Sequence, residues 1–256
     1  MTLIELMVAV TLMTVIVLGL YKVFDRTQRA MRDGANQIDT TETGRSTMGI
    51  LLRDLEQMAD SGSTNEVNFD LFHPAYSNNV ATVFPSGDVS TNINQELFFL
   101  KKGQHWTGVG FLVMPGSDPG GDDALNQAGI RSLYRFEIET NILQLRSNNL
   151  LNAYINERTN LVQKVADGVV HFNIRAYTNG VLVTNMLGEA ETTLQLAGLA
   201  PSHIDLEFGI LEPKVLEEVR NIPNTAAISN YLYRLPSSFQ IYKSRIRIPA
   251  GAVSAN

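Results

Sequence analysis

The 256-residue chain has no cysteine, so no disulfide braces it and its fold must rest on a packed core. It also lacks an excess of basic residues. Its 20 Lys and Arg stand against 26 Asp and Glu, for a net charge of -6. That balance argues against a nucleic-acid-binding surface, which would be basic. Histidine is sparse. His73, His105, His171 and His203 are far apart, and none stands at helical ligand spacing. His171 and His203 fall in expected strands, where a satisfied structural histidine is the ordinary case. There is no G-x-S-x-G, no P-loop and no H-E-x-x-H, and carboxylates are scattered. No internal repeat or low-complexity tract stands out. Lacking a nucleophilic, metal or phosphate constellation, the chain is not expected to be an enzyme.

One further absence is local: no Lys or Arg precedes Lys22 in MTLIELMVAVTLMTVIVLGLYKVF. From Leu3 to Leu20 the only polar side chains are Glu5, Thr11 and Thr14. As a helix this stretch spans roughly 27 Å, close to the ~30 Å hydrocarbon core of a bilayer. A secretory signal peptide would open with basic residues and end at a small-residue cleavage site, and neither is present. A plain single-span anchor would leave Glu5 unexplained. A carboxylate costs about 2.5–3.5 kcal/mol at mid-bilayer and less near the interface. Such an acid needs a partner, and a free α-amino group is the obvious one, whether its own or that of a neighbouring subunit.

The string T-L-I-E-L-M-V-A-V-T-L resembles the N-terminus of mature type IV pilins and type II secretion pseudopilins, whose acid falls at the fifth mature residue. The family usually has Phe at position 1, where Met1 stands, and a basic leader ending in Gly, which is absent here. The resemblance implies numbering from the mature residue, cleavage before Met1 by a prepilin peptidase, and N-methylation of Met1. It makes Glu5 the assembly contact with a neighbour's amine. Leu3, Ile4, Leu6, Val8, Val10 and Val17 would face lipid first and other helices afterwards. Gly19 either permits close helix approach or is simply tolerated. Many major pilins carry a helix-breaking Pro near position 22; Lys22 stands there instead, which favours a continuous helix and a minor subunit.

Three segments are expected: residues 1–24 as membrane or filament-core helix, 25–60 as its amphipathic continuation, and 61–256 as a β-rich head. Between 25 and 60, Met48, Leu51, Leu52, Leu55 and Met58 repeat at i, i+3, i+4, i+7, marking one core-covering face. Arg45, Arg53, Asp54 and Glu56 fall largely off it. Gly34, Gly44 and Gly49 are expected to loosen the helix. R-S-T-M-G-I-L-L-R-D-L-E-Q, residues 45–57, resembles the same helix in J-type minor pseudopilins and W-type minor pilins.

Residues 64–95 read as loop with one or two short strands. Glu96–Leu100 and Gly108–Met114 read as a hairpin, and Ser132–Glu139 as a half-buried strand. Asn149–Glu157 reads as short helix or edge. Asp167-Gly168 is expected to turn the chain into a strand, Val169–Tyr177, that ends at Asn179-Gly180. Ser202–Ile210 and Phe239–Ile248 read as strands, the last with Gln240, Lys243, Arg245 and Arg247 solvated. Glu212–Arg220 reads as a helical insertion ending before Pro223. The order of these strands resembles the C-terminal half of the J/W type. The expected fold class is therefore α+β, a long N-terminal helix packed on a mainly antiparallel sheet.

The glycine-rich loop Gly116–Asp123 places Asp118, Asp122 and Asp123 together. Oxygen-rich turns of this kind can hold calcium, although the spacing matches no EF-hand and a solvated turn is the alternative. No other cofactor is expected. The resemblance implies a minor subunit of a tip or priming complex, in a type IV pilus or a type II secretion pseudopilus. Its partners would be other pilin or pseudopilin subunits through their N-terminal helices, the prepilin peptidase/N-methyltransferase and an inner-membrane assembly platform. It would sit first in the bacterial inner membrane with its C-terminal domain in the periplasm, then in a periplasmic or surface filament. The alternatives are an adhesin or substrate-binding head displayed through loops 64–95 and 178–200, and a membrane-anchored enzyme.

Overall fold

The computed structural model describes residues 2–63, 66–73, 81–83, 89–91, 93–114, 125, 128–140, 150–157, 160–183, 192–235 and 238–249. By internal contacts the chain divides into Met1–Asp39 and Thr40–Asn256. No proline occurs before Pro74, and helix α1 runs uninterrupted from Leu3 to Glu56. Within Met1–Asp39 no described residue of α1 is buried.

Thr40–Asn256 contains the sheet. Its strands are β1 (Val67–His73), β2 (Ala81–Val83), β3 (Val89–Thr91), β4 (Glu96–Lys102), β5 (Trp106–Met114), β6 (Arg131–Thr140), β7 (Val162–Thr178), β8 (Val181–Leu182), β9 (Thr192–Ala197), β10 (His203–Leu211) and β11 (Phe239–Arg247). Three short helices intervene: α2 (Leu150–Glu157), α3 (Pro213–Arg220) and α4 (Thr225–Tyr233). The main sheet runs β11-β10-β7-β6-β5-β4-β1-β9, with β8 on β7, and every pairing in it is antiparallel. The strands β2 and β3 pair separately. The fold is α+β, a long N-terminal helix with a curled, mainly antiparallel sheet.

Three cores hold this unit together, and each follows from period-2 or period-3.6 apolar patterning. In the largest, Met48, Leu51 and Leu55 of α1 and the following Met58 meet Phe69, Leu97, Phe99, Phe111, Phe172, Ile174, Leu206 and Phe208 on one sheet face. Each such side chain, fully buried, contributes on the order of 1.5–3 kcal/mol. On the other face, α2 lays Leu150, Leu151 and Tyr154 over Phe98, Leu112 and Phe136. A Cβ on Gly110 would collide with the Tyr154 ring, so β5 needs glycine there. The third core sets Val215, Leu216 and Val219 of α3 and Ile228 and Leu232 of α4 against Val170, Leu211 and Phe239.

Most expected strands stand where the pattern put them, but four expectations need correction. Asp167-Gly168 does not turn the chain: β7 is one strand of 17 residues. The β6–β7 register jumps between Arg131↔Val169 and Leu133↔Ala166, so Ser132 faces both residues across a bulge. Gly168 takes φ +68°, and Asp167 Oδ1 accepts from both Ser132 Oγ (2.8 Å) and the Gly168 N–H (3.0 Å). Second, 178–200 is not one exposed loop. Asn179 and Gly180, both with positive φ, turn β7 into β8, and β9 pairs along β1. Third, α4 follows α3 and was not read from the sequence; its N-cap Asn224 accepts from the Ala226 N–H at 2.8 Å. Fourth, Asp54 is buried on the core side of α1, whereas Arg45, Arg53 and Glu56 are exposed. Arg135 of β6 and Lys101 of β4 reach up to meet it.

The helix glycines likewise do not act alike. Gly34 and Gly49 face open space, but a Cβ on Gly44 would overlap the Tyr242 ring. That ring lies against the helix, and its hydroxyl donates to Gln240 Oε1 (2.7 Å) and approaches the Thr40 (3.3 Å) and Thr41 (3.4 Å) carbonyls.

Candidate assembly helix

No residue in the apolar stretch of α1 is buried. Leu3, Ile4, Leu6, Val8, Val10 and Val17 are all exposed, from 52% at Val8 to 80% at Leu3. Gly19 has nothing within 4 Å of where a Cβ would be. The helix therefore presents apolar side chains on every side rather than one stripe, the pattern of a helix meant for an apolar surrounding. Its length and composition suffice to cross a membrane.

The polar groups inside the stretch are satisfied locally. Thr11 Oγ1 donates to the Val8 carbonyl and Thr14 Oγ1 to the Val10 carbonyl, both at 2.8 Å. These hydroxyls need no outside partner. Glu5 is held as well. Its Oε2 accepts from the Thr2 backbone N–H at 2.8 Å, while the Thr2 carbonyl accepts from the Glu5 N–H at 3.1 Å. Thr2-Leu3-Ile4-Glu5 is thus half of a capping box, with the N3 acid reaching back to the N-cap N–H. A negative charge at a helix N-terminus also sits well in the field of the aligned peptides. Reading for amine partners missed this role, although T-x-x-E before an apolar run is its standard signature. The cap satisfies one oxygen and leaves the net charge in place. Met1, Asp118, Asp122 and Asp123 lie outside the described residues.

In the folded unit, the polar face of β7, β10 and β11 carries a ladder of opposite charges. Glu207 Oε1 accepts from Arg175 (2.6 Å) and Lys243 (3.2 Å), and its Oε2 faces buried His171 Nε2 at 3.4 Å. Asp205 receives Arg245 through two bonds, 2.5 and 2.8 Å. Hydrogen bonding to His171, opposed by burial and joined by Lys243 and Arg175, pulls Glu207 down to about 2. The Arg245 bonds likewise lower Asp205. His171 Nδ1 accepts from the Ile93 N–H at 3.3 Å, and His203 stacks on Tyr177 with ring centroids 4.4 Å apart. Acids on β10 thus face bases on β7 and β11, an arrangement that favours this strand register. Among the described residues, no group of three or more His, Asp or Glu is placed to hold a metal.

Among the described residues, the apolar stretch of α1 is thus the longest run of exposed apolar side chains, with a capped acid at its start. Comparison of the chain with protein-family models, curated proteins and solved structures returns no match.

Proposed function

We propose that the chain is a minor pilin- or pseudopilin-type filament subunit, anchored in the bacterial inner membrane by α1 and carrying Thr40–Asn256 on the periplasmic side. One observation supports it above the rest: a membrane-length helix, apolar on all sides, with a single acid at its N-terminal turn. Exposed apolar surface of this extent must be covered by lipid or by other helices. Lipid covers it in the membrane, and neighbouring α1 helices cover it in the filament. The cap answers how Glu5 is tolerated before assembly, since Thr2 satisfies Oε2. On assembly, a neighbour's α-amino group neutralises the remaining charge and fixes the axial register between subunits. The subunit belongs to a tip or priming complex.

The absence of native cysteine makes the test clean. Val10→Cys and Val17→Cys are placed in the chain, which is expressed with its cognate filament genes, and disulfide cross-links to other subunits are read on gels. Glu5→Gln keeps an oxygen for the Thr2 N–H but removes the charge, and Glu5→Ala removes both. Both variants should insert in the membrane and lose the cross-links. Wild-type cross-linking by Glu5→Gln would show that charge pairing plays no part.

A further inference from the structure

Immediately after the apolar stretch, α1 turns basic on one side. Lys22, Arg26 and Arg29 are all exposed. At 3.6 residues per turn they fall within roughly 60° of one another, with Arg32 at the margin of the same stripe. We infer that this stripe is a binding surface for anionic phospholipid headgroups, and that it sets the depth at which α1 sits. The inference rests on the reading of α1 as a membrane anchor and not on filament assembly.

Depth supports the choice of partner. If Leu3–Lys22 fills the ~30 Å hydrocarbon core, Arg26 and Arg29 stand about 6 and 10 Å beyond its edge, in the headgroup layer. Helix side chains lean toward the N-terminus, which here is toward the bilayer. The long Arg and Lys stems can thus keep their methylenes on apolar surface and place their charges among phosphates. Two acids lie nearby. Asp25 pairs with Arg29 at 2.8 Å, but the Arg29 side chain is 74% exposed and that of Asp25 48%, so the pair holds the guanidinium weakly. Asp33 lies on the same side one turn past Arg29, far enough out to leave Lys22 and Arg26 to the lipid. A cation at an anionic membrane surface is worth on the order of fivefold in association.

The full chain is reconstituted in phosphatidylcholine bilayers containing about one-third phosphatidylglycerol. The relative association of spin-labelled forms of the two lipids with the protein is then measured. A preference of about fivefold for phosphatidylglycerol is expected. It should fall toward unity in Lys22→Gln/Arg26→Gln/Arg29→Gln, and in the wild type at 1 M salt, where the screening length is about 3 Å. A carbonate wash reports insertion separately. A chain that washes off overturns the anchor reading and this inference with it. A chain that stays inserted but takes both lipids equally overturns this inference alone. So does a triple variant that keeps the preference. Equal lipid association, with cross-links between α1 helices lost in the triple variant, assigns the stripe to a protein neighbour instead.

Discussion

Arg135→Met tests how the C-terminal end of α1 is held on the sheet. Asp54 lies under the helix with a side chain 9% exposed, and Arg135 grips it through Nε (2.6 Å) and a second nitrogen (3.2 Å). Lys101 stands 3.4 Å from the same carboxylate, and Glu137 closes the group at 2.7 Å from Lys101 and 2.6 Å from Arg135. Two acids and two bases make the group neutral. Removing Arg135 leaves one excess negative charge beside Asp54, whose side chain is only 9% exposed. Breaking a buried pair from one side costs about 3–5 kcal/mol, and Lys101 remains to offset part, so about 2–4 kcal/mol is expected. For a unit of this size that is a fall in melting temperature of roughly 5–15 °C. The assay is thermal unfolding of the full chain in detergent, followed by circular dichroism and Trp106 fluorescence. Asp54→Asn/Arg135→Met restores neutrality, with Lys101 and Glu137 left as a pair, and should be clearly more stable than Arg135→Met alone. A single variant within about 0.5 kcal/mol of wild type, or a double variant whose losses simply add, would refute the buried-charge argument. Glu137 adds an acid limb. Hydrogen bonding to Arg135 and Lys101 outweighs burial and holds it at about 2, against 4.5 when free. Its contribution is present above pH 4.5 and is lost as pH falls toward 2. With over a third of its side chain in water, that contribution is only on the order of 1 kcal/mol.

Two other predictions come from single side chains. Gly44→Ala forces a methyl group into the Tyr242 ring and should destabilise by about 2 kcal/mol or more, whereas Gly49→Ala, facing open space, should stabilise by up to about 1 kcal/mol; equal effects in urea titrations would rule out the ring contact. Asp70 is buried beside Phe98 in the β1–β4 register, with Oδ1 lacking a hydrogen-bond partner. Burial, partly offset by a bond from Gln195, raises it to about 6 from 3.8. The folded state therefore holds its proton longer, and stability should fall as pH rises from 4 to 6 and stay low above that. Asp70→Asn should be more stable than wild type at pH 7 by on the order of 2 kcal/mol and converge with it near pH 4; a constant difference across that range would exclude ionisation of Asp70 as the cause.

Local chemistry determined much of this protein. The apolar run from Leu3, the absence of proline before Pro74 and the spacing Met48-Leu51-Leu55-Met58 suffice to place α1 and its buried face, because helical period and side-chain polarity are properties of the chain itself. Alternation likewise marked β6, β10 and β11. Even the Glu5 cap was legible, as T-x-x-E. What only the tertiary structure decided are the places where a residue's meaning depends on a distant partner. Asp54 reads as a solvated helix residue until Arg135 and Lys101, from two strands far along the chain, enclose it. Asp167-Gly168 reads as a turn, and becomes a bulge only because β6 runs past it and Ser132 takes up the carboxylate. The strand β9 carries a short alternation of its own, Leu194 and Leu196 inward about exposed Gln195, but which strand it would pair with, β1, is set by the fold. Gly44 reads as a weak point and is the seat of Tyr242. Polarity and period are written residue by residue, but complementarity between residues remote in sequence exists only after the chain has folded.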